Sequence, residues 1–172
     1  MTFETFEERA KDIKGYEYDK SSWKSIDDNL YITHLDCGRT FSQQASTHIS
    51  GNYGKPVGCP YCATHGFSLG RDGSVYVLYE EILGLTKVGV THQPVHRRVM
   101  QIRANSLRKY NVDINFKLLQ SWEMSGEKCS RVEKGAHKYL SERFESPAIN
   151  FDGSTECFKC SPENAINFIK NF

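Results

Sequence analysis

Several features are scarce in this chain, and each scarcity excludes something. Only 38% of the 172 residues are hydrophobic. No apolar run approaches the roughly 20 residues that a membrane-crossing helix needs, so no membrane partner is expected. The N-terminal stretch MTFETFEERAKDIKGYEYD is acidic and amphipathic. It lacks the basic start and apolar centre of a secretory signal, and a cytoplasmic protein is expected. No charge of one sign dominates either, with 22 Lys/Arg against 21 Asp/Glu and a net charge of +1. Such a balance does not announce a nucleic-acid binder by charge alone. The chain also has no internal repeats and no low-complexity tract, which argues against solenoid or fibrous architectures.

The charge that is present is unevenly placed. Residues 1–66 carry 7 Lys/Arg against 9 Asp/Glu, and residues 67–172 carry 15 against 12. Within the second part, Arg97, Arg98, Arg103, Arg108 and Lys109 form a basic cluster. Of these, Arg98, Arg103, Arg108 and Lys109 are expected to contact DNA phosphates.

Six cysteines in a reducing compartment read as metal ligands or buried thiols rather than disulfides. HLDC supplies His34 and Cys37, and GCPYC supplies Cys59 and Cys62. Two pairs at two-residue spacing, each on a tight Gly- or Pro-containing turn, fit a tetrahedral structural zinc site. His48, between the pairs, is the alternative fourth ligand, and His65 lies just beyond Cys62. A loop-rich segment of this size also needs such a staple. CFKC, with Cys157 and Cys160, has no second pair nearby, and Cys129 falls on a helix, so these read as structural thiols.

Hydrophobic periodicity predicts a helix over 3–14, a strand over 29–35 and a hairpin partner in GRTFSQQ. ISGNYGKPVGCPYC reads as turns throughout. Beyond a hinge at 67–73, the pattern predicts strands at 74–79 and 85–91 and a helix at 94–106 begun by Pro94. A strand at 114–123, a helix at 127–143, a strand at 155–160 and a helix at 162–171 capped by Ser161 follow. The expected class is α+β or mixed α/β: a small mixed sheet flanked by helices over 74–172, preceded by a zinc-knuckle or ribbon module over 1–66.

Two resemblances sharpen this reading. The stretch from Phe6 through GYEYDKSSW to Cys62 resembles a small zinc-binding module found in phage and mobile-element proteins, with Cys and His exchanged in the first knuckle. Ser74-Val75-Tyr76 on one strand, Lys87-Val88-Gly89 on the next and Arg97 eight residues on resemble the GIY-YIG nuclease superfamily. Glu133 fits that family's metal-binding glutamate. Lys87-Val88-Gly89, Glu133/His137 and Glu156/Phe158 together are similar to a phage-type branch that writes its second motif K-[IV]-G.

The resemblance implies a Mg2+-dependent endonuclease acting on double-stranded DNA, with homing, restriction or degradation of competing DNA as its setting. If phage-encoded, the protein would work in the host cytoplasm. The implied site is Tyr76 orienting or deprotonating water, Lys87 beside it, Arg97 gripping phosphate and Glu133 holding Mg2+. His137 would orient that carboxylate or contact phosphate, and Asn150 would brace the site.

The chemistry is coherent on its own terms. Phosphodiester hydrolysis needs an activated water and charge neutralisation, and Mg2+ keeps several waters while accepting few carboxylates. Each residue alone reads equally as packing or surface decoration; their joint order carries the assignment. Lys87, standing where the superfamily has a tyrosine, leaves two rivals: a catalytically silent nucleic-acid-binding protein, or a zinc-stabilised protein-interaction module. With one site per chain, a double-strand break requires a homodimer or sequential nicking.

Overall fold

The computed structural model describes residues 1–51, 54–64 and 66–172. His65 therefore lies outside the described residues. The chain divides into two compact units, Met1–Ser68 and Leu69–Phe172.

In the first unit, helix α1 (Phe3–Ala10) is capped by Thr2, whose hydroxyl accepts the Thr5 N–H at 3.3 Å. Phe3, Phe6 and Ala10 form its buried stripe, and the helix ends one turn earlier than its periodicity predicts. It packs on an antiparallel sheet of β1 (Tyr16–Tyr18), β2 (Asn29–His34) and β3 (Arg39–Gln44), ordered β1-β2-β3. Alternation along β2 buries Leu30 and Ile32, and Ile32 faces Phe41 across the ladder. A short helix α2 (Ala45–Ser50) buries Ala45 and His48 against this core. Neither β1 nor α2 shows in the sequence pattern, because three and six residues are too few to display a period.

The second unit begins with the hairpin β4 (Gly73–Glu80) and β5 (Leu85–Thr91), turned at Gly84 with a positive φ of 62°. Helix α3 (Val95–Tyr110), strand β6 (Lys117–Met124) and helix α4 (Gly126–Ser141) follow, then β7 (Cys157–Lys159) and helix α5 (Pro162–Lys170). Pro94 precedes α3 as its cap residue rather than opening it.

The α+β class holds, with two small antiparallel sheets and five helices among the described residues. The expected mixing of strand directions does not occur. The sheet order is β6-β4-β5-β7, and every pair is antiparallel. The β5–β6 crossover passes over β4 and the β6–β7 crossover over both β4 and β5, so strands running the same way never become neighbours. Central β4 is buried at Val75, Tyr76, Val77 and Leu78, sandwiched by helices on both faces. No described helix is long and apolar enough to cross a membrane.

Candidate active site and metal centre

In the first unit, the two knuckles bring one donor each from His34, Cys37, Cys59 and Cys62 to within 4.8 Å of one another. His34 Nδ1 lies 3.3 Å from Cys37 Sγ and 3.6 Å from Cys62 Sγ, and Cys37 Sγ lies 3.8 Å from Cys59 Sγ. Metal–ligand bonds of about 2.0–2.3 Å imply tetrahedral edges of roughly 3.3–3.8 Å, so the donor set fits a zinc ion.

Its surroundings fit as well. Asp36 Oδ2 sits 3.5 Å from His34 Nε2, the outer carboxylate that orients a ligating imidazole. The Tyr16 hydroxyl accepts the Cys59 N–H at 3.0 Å, locking the second knuckle. The Arg39 N–H, then His34, pulls the Cys37 thiol down to about 7. Hydrogen bonding to Cys37 pushes Cys62 up to about 11. One thiol ionises readily and opposes the next, a conflict that a divalent cation removes.

The alternative ligand His48 is committed elsewhere. Fully buried, it meets the Tyr18 hydroxyl through Nε2 at 3.2 Å, and the Val57 carbonyl (3.0 Å) and Gln43 (3.2 Å) through Nδ1. Burial lowers its pKa, keeping it a neutral core residue.

In the second unit, the hairpin places Tyr76 directly opposite Gly89. The phenol ring lies over that glycine: a Cβ there would stand 2.6 Å from Tyr76 Cζ and 3.0 Å from Cε2. The glycine of the second motif is thus a seat for the tyrosine of the first. Gly89→Ala is expected to destabilise this unit by about 1–3 kcal/mol through overpacking, read by denaturant unfolding. A neutral effect would show that the ring can move.

Tyr76 is only 1% exposed. Burial raises its pKa above the usual 10.0 and outweighs the pull of Lys87 and Arg98 in the other direction. The phenol therefore stays neutral, a donor rather than a base.

The arginine that reaches it is Arg98, not Arg97. Arg98 is the guanidinium whose charge and donors act on the Tyr76 hydroxyl, and it lies 4.0 Å from Asp152 Oδ2. Arg97 is exposed. The reason is helical phase: Val95 and Ile102 are buried on α3, and residue 98 stands three after one and four before the other. Residue 97 is rotated away. That signal was present in the sequence, in the spacing of Val95, Val99 and Ile102, but counting from Gly89 passed over it.

Glu133 and His137, one turn apart on α4, both meet the edge of β5. His137 Nε2 lies 2.9 Å from the Val88 carbonyl, and the Val90 N–H is near enough to Glu133 to favour its ionised form. Val88 and Val90 present their backbone groups to the same side, past the stretch that β7 covers, which ends at Lys87. His137 thus takes up a carbonyl of the uncovered β5 edge and anchors the helix there. Burial, with nearby Glu156 adding repulsion, pushes Glu133 up to about 7, and Lys87 and the Val90 N–H only partly offset this.

Lys87 is fully buried on β5. Its Nζ donates to the Gly153 carbonyl at 3.2 Å and forms an ion pair with Glu156. Glu156 and Asp152 belong to this site although spacing assigned neither a role. Asn150 is exposed on the same connection, while Asp152 accepts from Asn105 at 3.3 Å and its N–H bonds Ser106 Oγ at 3.1 Å. Of the basic cluster, Arg103 is held bidentately by Asp113 at 2.6 and 2.8 Å, and Arg108 bonds Asn105 at 3.0 Å. Lys109 is exposed. Cys157, buried beside Lys87, donates toward the Gly153 carbonyl at 3.3 Å.

A buried tyrosine, paired cations and a semi-buried carboxylate on a four-stranded antiparallel sheet define a small α+β domain with a polar, partly desolvated site. Residues 73–172 match the T5orf172 domain, and the chain belongs to that family, a phage-associated domain of a nuclease-related group. No curated protein and no solved structure gives a significant match to the chain.

Proposed function

We propose that the protein is a Mg2+-dependent DNA endonuclease with a GIY-YIG-like site, aided in DNA binding by its zinc module (1–66). The observation that carries this reading is the convergence of Tyr76, Lys87, Arg98 and Glu133 around Gly89. Four separate elements, β4, β5, α3 and α4, contribute one group each.

Glu133 fits a hard cation: its carboxylate is partly desolvated and faces a second carboxylate, a surplus of negative charge that a divalent ion relieves. Bound there, Mg2+ would supply charge neutralisation on the phosphate and a more acidic water. The chain's own part is positional. Tyr76, neutral and seated on Gly89, orients the attacking water through its hydroxyl. Arg98 presents a forked guanidinium to the scissile phosphate beside that hydroxyl. Exposed Arg97 and Lys109 remain for the flanking backbone. One site per chain nicks one strand per encounter, and double-strand cleavage uses a homodimer or two encounters.

Supercoiled plasmid incubated with protein and Mg2+ should become nicked, and EDTA should stop it. Arg98→Ala should lose roughly 10²–10³-fold in rate, the scale for removing one transition-state donor. Arg97→Ala should lose less than about tenfold, mainly through salt-sensitive binding. Equal losses from both would return the role to Arg97.

A silent binder is the second reading, favoured by one observation: Tyr76 and Lys87 are both buried at 1% exposure or less. Tight, salt-dependent DNA binding without nicking under any divalent cation would establish it in place of the first.

A further inference from the structure

Lys87 is the residue that departs from a tyrosine-based site, and its surroundings determine what it can do. Its ammonium is fully buried, which strands a charge unless partners meet it. Both partners are acceptors: the Gly153 carbonyl at 3.2 Å and the Glu156 carboxylate. Two of the nitrogen's three hydrogens are thus taken up by protein acceptors. The turn that carries these partners is shaped around the nitrogen. Gly153 adopts a positive φ of 78°, and a Cβ there would stand 2.7 Å from Lys87 Nζ.

The partner carboxylate is held in turn. Glu156 closes a 3-10 turn, Ser154–Glu156, whose Glu156 N–H bonds the Gly153 carbonyl at 3.1 Å. The next residue, Cys157, pairs directly with Lys87 across the β5–β7 ladder. Lys87 and Gly89 lie two apart on β5, hence on one face, and Tyr76 rests on Gly89. The buried ammonium is therefore a fixed positive charge beneath the phenol, and its position is set by Glu156.

We propose that Glu156 is a positioning residue of this site, clamping the buried Lys87 ammonium from its half-exposed carboxylate so that Lys87 serves as a fixed cation beside Tyr76 and never as the general base. The proposal rests on the nuclease reading above. Glu156 itself is 40% exposed at its side chain, so it meets solvent on one side and the ammonium on the other.

The test combines a spectroscopic and a kinetic readout on the full chain. With 15N-labelled lysine, the wild type should show one ammonium signal protected from solvent exchange, absent in Lys87→Met. Glu156→Gln should lose that protection, lower the kcat of Mg2+-dependent plasmid nicking roughly tenfold or more and leave KM within about twofold. Glu156→Asp should restore part of both. The double variant Lys87→Met/Glu156→Gln removes the pair together, so its stability should recover relative to Glu156→Gln while its kcat stays low.

If the double variant regains both stability and rate, the pair is structural only and the proposal is overturned. If Glu156→Gln nicks like the wild type, the proposal is overturned while the nuclease reading stands. If the wild type shows the protected ammonium yet leaves plasmid intact, the nuclease reading fails and the positioning role falls with it.

Discussion

Replacing Glu133 by glutamine is expected to abolish plasmid nicking while making the metal-free protein more stable at pH 8. The two effects have one origin. Burial, then the neighbouring Glu156, holds this carboxyl at about 7 in the folded chain, against 4.5 for the free side chain. Below pH 4.5 the group is protonated folded or unfolded and costs nothing. Between 4.5 and 7 the unfolded chain ionises first, so folded-state stability falls as pH rises, and the loss is complete above 7. Its size is at most about 3 kcal/mol, less what partial solvent contact screens. Glutamine keeps the shape without the charge.

Denaturant unfolding in EDTA should therefore show Glu133→Gln ahead of the wild type at pH 8, with the gap closing toward pH 4.5. Adding Mg2+ should stabilise the wild type and not the variant. In the nicking assay the loss should reach roughly 10³-fold, because the neighbouring carboxylate, Glu156, is engaged by Lys87. Undiminished nicking by the variant would remove the metal role of Glu133. Equal stability at pH 8 would remove the argument from a strained, desolvated carboxylate.

Stripping the metal from the first unit should have the other large effect. Phe6, Leu30, Ile32 and Phe41 give that unit a core, but a domain of this size is marginal on burial alone. His34 and Cys37 at the β2–β3 turn meet Cys59 and Cys62 of the GCPYC loop in one cluster, which a bound ion would tie together. Structural zinc commonly contributes about 10 kcal/mol or more to folding. Cys59→Ser should accordingly lose bound zinc and lower the melting temperature of this unit by roughly 20 °C or more. Freshly purified wild type should carry about one zinc per chain by elemental analysis. His48→Ala should retain the zinc, since both imidazole nitrogens bond inside the core. Zinc lost from His48→Ala but kept in Cys59→Ser would invert the assignment.

Much of this was legible in one dimension. The β4–β5 hairpin, α3, α4 and α5 follow from apolar period and capping residues, and the four-donor cluster follows from two knuckles at two-residue spacing. These are local properties: helical and strand periods repeat every few residues, and a chelating turn needs only its own sequence. Strand directions were not legible, because they depend on which strand each crossover passes over. Nor was the choice between Arg97 and Arg98, which differ by one helical step of rotation and so by the face they show Tyr76.

Glu156 illustrates the same limit. It lies 69 positions from Lys87, and no spacing rule joins an acid on a 3-10 turn to a lysine on β5. His137 looked like a catalytic partner for Glu133 because the two share a helix face. Only the uncovered edge of β5 reveals that His137 is held by the Val88 carbonyl. Residue identities, elements and the turns that carry the Cys/His cluster were thus settled by local chemistry. The roles of the charged groups were settled by packing, because burial decides whether a charge must find a partner, and that partner is chosen by the fold rather than by the chain.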